Sequence, residues 1–244
     1  MKILRFARVG AHFFEQGRIL WAQKAQNFNK GVKVMIRTKS LFSCDIAYLA
    51  KLFEECEYPW QILDALGGKI EMLLKNPPKD FTWLEEGILV GNSVKIDTGA
   101  RILPPTIIGA RTEIRQGAFI RGGVICGEDC VIGNSTELKS CILLNKVQAP
   151  HYNYVGDSIL GNNSHLGAGV ICSNLKGDKS EVVIHADKEY PTGRRKVGAF
   201  VGDFAEIGCS CVLNPGSVIG KGARIYPLVS VRGVVESGAL IKSN

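Results

Sequence analysis

The chain has 244 residues, 45% hydrophobic and 22% charged, with a formal charge of +7. This is the composition of a globular protein of one or two domains; no apolar run approaches the roughly 20 residues of a membrane-spanning helix, and no charged start followed by an apolar segment suggests a secretory signal. The charge is also local: residues 1–39 contain nine Lys or Arg against the single acid Glu15. The remainder is close to neutral, which excludes a nucleic-acid-binding surface over the whole chain.

Residues 1–42 read as a basic N-terminal extension carrying Phe13, Phe14 and Trp21. It is expected to lack fixed structure, with Met35 as an alternative start; contact with a membrane, nucleic acid or an acidic partner and an organellar transit role are the other readings. Residues 43–86 read as a short helical cap. Ser43 or Asp45 offers an N-cap, Ile46, Leu49, Ala50 and Phe53 follow at helical spacing, and Tyr58-Pro59 breaks the pattern. Trp60, Ile62, Leu63, Leu66, Ile70, Leu73 and Leu74 make a second amphipathic stretch, ended by Asn76-Pro77-Pro78. This pair is expected to cover the open first coil of the repeats that begin near Gly87.

From residue 87 to 244 an aliphatic residue returns at about every sixth position: Val90, Ile96, Ile102, Ile108, Ile114, Ile120, Cys126, Ile132, Leu138, Leu144, then Leu160, Leu166, Cys172, and later Val201, Ile207, Leu213, Ile219, Ile225, Val231. Small or β-branched residues occur four positions on, as in Thr112, Ala118, Cys130, Thr136, Ala205 and Cys211. A period of six is neither helical nor simple alternation; it predicts a chain wound into a three-sided prism with the aliphatic residue in the bore and glycine at many corners. The fold class is therefore all-β with a short α-helical N-terminal segment. The hexads break near 145–158 and 175–198, which predicts loop insertions there, the second as a hairpin arm around Pro191-Thr192-Gly193. The eight cysteines contain no Cys-x-x-Cys, and Cys126, Cys130, Cys172 and Cys211 take inward positions, so reduced, packed thiols in a cytoplasmic protein are expected; a disulfide or zinc role is the alternative.

Histidine is scarce: His12, His151, His165 and His185. His151 lies in the first interruption, where a neutral imidazole suits a general base and a hydrogen-bonded structural role is the alternative. Arg115 and Lys139 each come directly after an inward residue, so their charges point outward 24 residues apart, where they could clamp a phosphate or simply be solvated.

Glu113-Ile114-Arg115-Gln116-Gly117-Ala118, Asn134-Ser135-Thr136-Glu137-Leu138-Lys139, the segment from His151 through Tyr154 to Asp157, and Gly167-Ala168 through Ser173-Asn174 occur in this order. Together they resemble the left-handed parallel β-helix acetyltransferase domain of the bifunctional glucosamine-1-phosphate acetyltransferase/N-acetylglucosamine-1-phosphate uridylyltransferase, over about residues 87–237. The helical prelude and hairpin are similar to stand-alone bacterial proteins related to that pyrophosphorylase. The resemblance implies a left-handed β-helix of hexapeptide repeats that assembles as a homotrimer, its hairpin reaching a neighbour. It further implies acetyl-CoA as cosubstrate and an amino-sugar phosphate or nucleotide amino sugar as small-molecule acceptor, within cell-envelope sugar-nucleotide metabolism. His151 matches the general base, Arg115 and Lys139 the phosphate ligands, Tyr154 an amino-sugar contact, and Ala168 and Asn174 the acetyl-CoA groove. Two positions depart: a family asparagine near the sugar is His165, and a serine of the cofactor groove is Cys209. The family lysine after the Asn174 loop has Lys179 or Arg194 as its candidates.

No uridylyltransferase domain is expected, since the 40-residue tail is too short for one. Nothing in the sequence supports Mg2+ or another metal. A zinc-dependent γ-type carbonic anhydrase would need three convergent histidines, and no close pair exists. The alternative is a non-catalytic trimeric sugar-phosphate-binding or regulatory protein.

Overall fold

The computed structural model describes residues 36–242. Most of the basic extension therefore lies outside the described residues. The remainder is a β-solenoid preceded by three helices, α1 (Thr38–Leu41), α2 (Ala47–Glu55) and α3 (Pro59–Lys75).

Each coil of the solenoid visits three walls in turn. The first wall is a nine-stranded sheet, the second has eight strands and the third seven. Within each wall successive coils pair in parallel, as in Thr106↔Val124, Glu113↔Val131 and Phe119↔Glu137. One antiparallel strand, Phe81–Glu85, closes the N-terminal edge of the first wall on Ile88–Gly91. The bore is filled by the hexad residues: Ile108, Ile114, Ile120, Cys126, Ile132 and Leu138 are all fully buried in one continuous core. The small residues four positions later, among them Ala118, Cys130, Ala205 and Cys211, complete that core.

The expected interruption near 145–158 is not a loop. Gln148–His151 and Tyr154–Gly156 are regular strands of the second and third walls. What changes is the length of the coil: Thr106 pairs with Val124 across 18 residues, but Val124 pairs with Cys141 across 17. The inward residue at this point is accordingly Leu143, not Leu144. A hexad count slips there because one corner is a residue shorter, and a one-residue slip exchanges inside for outside.

Glycine occupies many corners, as expected, but the corner between the first and second walls is turned by Ser93, Arg111, Asp129, Lys146, Asn163 and Phe204, with φ between 55° and 60°. The winding demands a left-handed residue at that step, and these side chains accept the strain because the ladders on both sides hold them there.

The helices do not cap the first coil; Ile96 in that coil is 37% exposed. They lie instead along the outside of the first wall. Leu89, Ile107, Ile125, Ile142, Ile159, Phe200 and Val218 succeed one another in ladder register, alternate with the bore residues and so point outward, yet each is 0% exposed. Their cover comes from the helices, whose Leu49, Phe53, Ile62, Leu66 and Ile70 are equally buried. Trp60 meets Phe200 at 6.3 Å between ring centroids. Ser43 and Asp45 are not N-caps, because the prism uses them: Ser43 N–H donates to Asp203 Oδ2 (2.9 Å), and Asp45 Oδ1 accepts from Asn145 Nδ2 (3.0 Å). Pro59 opens α3, where its missing N–H costs nothing.

The hairpin arm, Val183–His185 paired antiparallel with Glu189–Pro191, is folded back on its own chain. Val182 and Ile184 are 1% exposed, Tyr190 packs on Tyr58 at 5.5 Å, and Arg194 Nη1 reaches Asp64 on α3 at 2.6 Å. Gly216 (φ +79°) makes the seat: a Cβ there would lie 2.7 Å from Val182 Cγ1. Because Phe200 joins helices to wall, Phe200→Ala is expected to lower the free energy of unfolding by about 3–5 kcal/mol in denaturant melts.

Candidate functional site

The third wall runs between two corners, and the candidate residues divide between them. At the corner shared by the second and third walls, His151 pairs with Asn134 of the preceding coil. One coil on is Ala168, whose neighbour Gly169 donates its N–H to the His151 carbonyl (3.0 Å); one coil further is Cys209, whose neighbour Ser210 donates to the Ala168 carbonyl (2.8 Å). His151, Ala168 and Cys209 thus form one column. His151 and Cys209 are both exposed.

The opposite corner carries Lys139 and Asn174, joined through Asp157. The Asp157 side chain is 5% exposed; its Oδ2 takes Lys139 Nζ at 3.2 Å and Asn174 Nδ2 at 2.6 Å. Arg194 Nη2 stands 3.7 Å from Oδ1. Of the two candidates for the family lysine, Arg194 is therefore the one that reaches this corner. Tyr154 lies on the wall between the columns, and its hydroxyl and the Asn174 amide come together over Gly156, where a Cβ would meet them at 2.6 and 2.7 Å. Burial, and then the nearby carboxylates of Glu137 and Asp157, push the Tyr154 phenol above its ordinary value, which keeps it a hydrogen-bond donor at neutral pH.

Arg115 is not brought to Lys139. It ends the second wall one coil earlier, where its Nε binds Glu113 Oε1 at 3.0 Å, and that bond holds the Glu113 carboxyl below its usual range. The cation beside Lys139 is Arg121. Leu138 pairs with Ile120, and the ladder's next step sets Lys139 against Arg121. Arg121 Nη1 holds Glu137 Oε1 at 2.7 Å. The sequence does carry that signal: Arg121 and Lys139 are 18 residues apart, one full coil, whereas 24 residues is a coil plus a wall. Reading the sequence also misses Asp157 and Glu206. His165 lies on the outer face of the second wall, with its Nδ1 3.0 Å from Glu206 Oε2 on the next coil.

None of the candidate residues lines the cleft of about 740 Å3 at the remaining corner, under the 42–46 linker. Within it Arg111 binds Glu128 and Asp129, and buried Asp203 binds Ser43, Asn162 and Lys221. It is the joint between helices and prism.

Residues 102–187 match the profile of the GMPPB C-terminal domain. A bifunctional sugar-1-phosphate nucleotidylyltransferase/acetyltransferase from Sulfurisphaera tokodaii is 32% identical over 189 residues, 75% of this chain and 47% of that protein. The bifunctional protein GlmU of Methanococcus aeolicus is 30% identical over 190 residues, 75% of this chain and 45% of that one. The uncharacterized acetyltransferase YaiX of Escherichia coli is 30% identical over 191 residues, covering 69% of this chain and 82% of YaiX. The chain belongs to the hexapeptide-repeat acyltransferase family. It spans about half the length of the bifunctional relatives. Among the described residues no helix is long and apolar enough to cross a membrane.

All eight cysteines are free thiols. Burial pushes Cys130 and Cys172 up to about 12 and raises Cys126, Cys141 and Cys211 as well, so the bore holds them protonated. In the native protein a thiol reagent combined with peptide mapping is expected to label Cys209 rapidly, and these five only after unfolding.

Proposed function

We propose that this protein transfers the acetyl group of acetyl-CoA to the amine of an amino-sugar phosphate, glucosamine-1-phosphate or a nucleotide amino sugar being the acceptors that fit. The observation that carries the reading is the third wall itself: a stacked Arg121–Lys139 pair at one edge, the His151 column at the other, and a phenol donor, Tyr154, between them. Acyltransferase family membership supplies the reaction class. The Sulfurisphaera tokodaii relative, whose name joins sugar-1-phosphate nucleotidylyl transfer to acetyl transfer, points to a phosphorylated sugar.

In this reading His151 takes a proton from the amine as it attacks the thioester, and the thiol of CoA is released. The small side chains of Ala168 and Cys209 leave the corner beside His151 open for the cosubstrate. Arg121 and Lys139 bind the phosphate, exchanging Glu137 and Asp157 for it, with Asn174 held toward the acceptor by Asp157. Tyr154 contacts the sugar, and His165 faces the acceptor from the second wall. The acceptor groove closes against a second prism in a homotrimer, whose contacts are expected at the second-to-third corner, where Tyr152 and Leu228 stand 63% and 76% exposed.

The deciding experiment is release of free thiol from acetyl-CoA with glucosamine-1-phosphate against plain glucosamine. The phosphorylated acceptor should be strongly preferred; equal rates would remove the phosphate site, and no release with any amino sugar would leave the second reading, a non-catalytic sugar-phosphate-binding protein. That second reading is favoured by one observation, that each cation of the row is already paired with a carboxylate.

Charge-assisted bonds of about 1.5–3 kcal/mol each predict that Arg121→Ala raises the acceptor KM roughly 10–100-fold with little change in acetyl-CoA affinity, while Arg115→Ala leaves it within about twofold. His151→Ala is expected to lower kcat by ~10²–10⁴ with an unchanged melting temperature. Acetyl-CoA should also protect Cys209 from labelling. Static light scattering should give three times the 26.5 kDa chain mass.

A further inference from the structure

His165 is the one site residue with a carboxylate on its ring. Nδ1 stands 3.0 Å from Glu206 Oε2, and the two side chains are 38% and 53% exposed. In the tautomer whose Nδ1–H donates to Glu206, the Nε2 lone pair is left to accept a proton, and both side chains are in contact with water. Gln148, in register with His165 on the preceding coil, is uncharged; Arg224 lies beyond Glu206, in register with it on the coil after. His151 is carried by the same wall, in the strand of the preceding coil that pairs with His165 through Gln148. Its ladder partner Asn134 and its corner neighbour Ala168 are uncharged.

An acceptor that binds in its ammonium form has two protons to lose. Near neutral pH an amine of pKa about 8 reaches the enzyme largely as the ammonium ion. It must lose one proton before its nitrogen has a lone pair. After the C–N bond forms, the nitrogen loses a second proton, and the C–S bond breaks to a thiolate that takes one proton to become the CoA thiol. The balance is one ammonium and one thioester giving one amide, one thiol and one released proton.

We propose that the His165–Glu206 pair removes the first proton from the ammonium form of the acceptor and passes it to water, while His151 handles the second and returns it to the sulfur. The proposal rests on the acetyltransferase reading and adds a catalytic residue, His165, with Glu206 as its positioning residue. It makes the dyad necessary only while the acceptor arrives protonated.

The test is kcat/KM for an amino-sugar phosphate from about pH 6.5 to 9.5 in the wild type, His165→Gln, Glu206→Gln and His151→Ala. His165→Gln and Glu206→Gln should lose roughly tenfold or more at the acid end and approach wild type at the alkaline end, where the amine arrives as the free base. The His151→Ala deficit should persist across the range. A deficit in His165→Gln that is constant with pH, as a purely sugar-binding role would give, overturns the proposal, and so does full activity throughout. Absence of acetyl transfer in the wild type at every pH defeats the acetyltransferase reading itself and the dyad with it.

Discussion

The parallel ladders between successive coils are the constraint on which everything else rests. Each parallel strand is only two to four residues long, too short to be stable as an isolated pair. It persists because every coil bonds to the coil before and the coil after, and because one aliphatic residue per strand stacks in the bore. This cooperativity fixes side-chain position closely: residues 17 or 18 apart lie one above the other, at about the 4.8 Å spacing of paired strands. A site built on such a prism is a set of columns, and its geometry is decided by coil length before any side chain is chosen.

That constraint explains why the three walls differ. The first wall carries apolar residues on both faces, because the helices supply it with an outer core. The second and third walls have no helix over their outer face, and there the outward row is mixed: Glu113, Val131, Gln148, His165 and Glu206 on one, Phe119, Glu137, Tyr154, Ile171 and Val212 on the other. The polar chemistry is therefore confined to two walls and the corner they share, with the third-to-first corner as its far boundary. Asp157 makes that boundary a unit, since a buried carboxylate needs its partners and here they are Lys139, Asn174 and the Arg194 of the folded-back hairpin.

The same geometry sets how far the site is legible in advance. His151, Tyr154, Lys139 and Asn174 come from segments with distinctive local residues, and the structure gathers all four around the third wall. Pairing Arg115 with Lys139 counts outward cations rather than coils, and the two residues stand at different corners. Asp157, Glu137 and Glu206 carry no signal of their own as isolated acids; they matter only because a ladder sets each beside a particular cation or imidazole.

The sequence by itself determined the prism and its bore, because a six-residue apolar period admits little else. It also marked the two helical stretches and the scarce histidines. Only the tertiary structure decided the rest: that the helices cover a wall and not an end, that the 145–158 segment is a shortened coil and not a loop, that the hairpin lies on its own chain, and that Arg121 stands beside Lys139. The physical reason is common to all four. Periodicity reports which side of the backbone a residue faces, but where a wall's outer face is buried, or how many residues a corner takes, depends on contacts between segments distant in the chain, and those exist only once the coils have stacked.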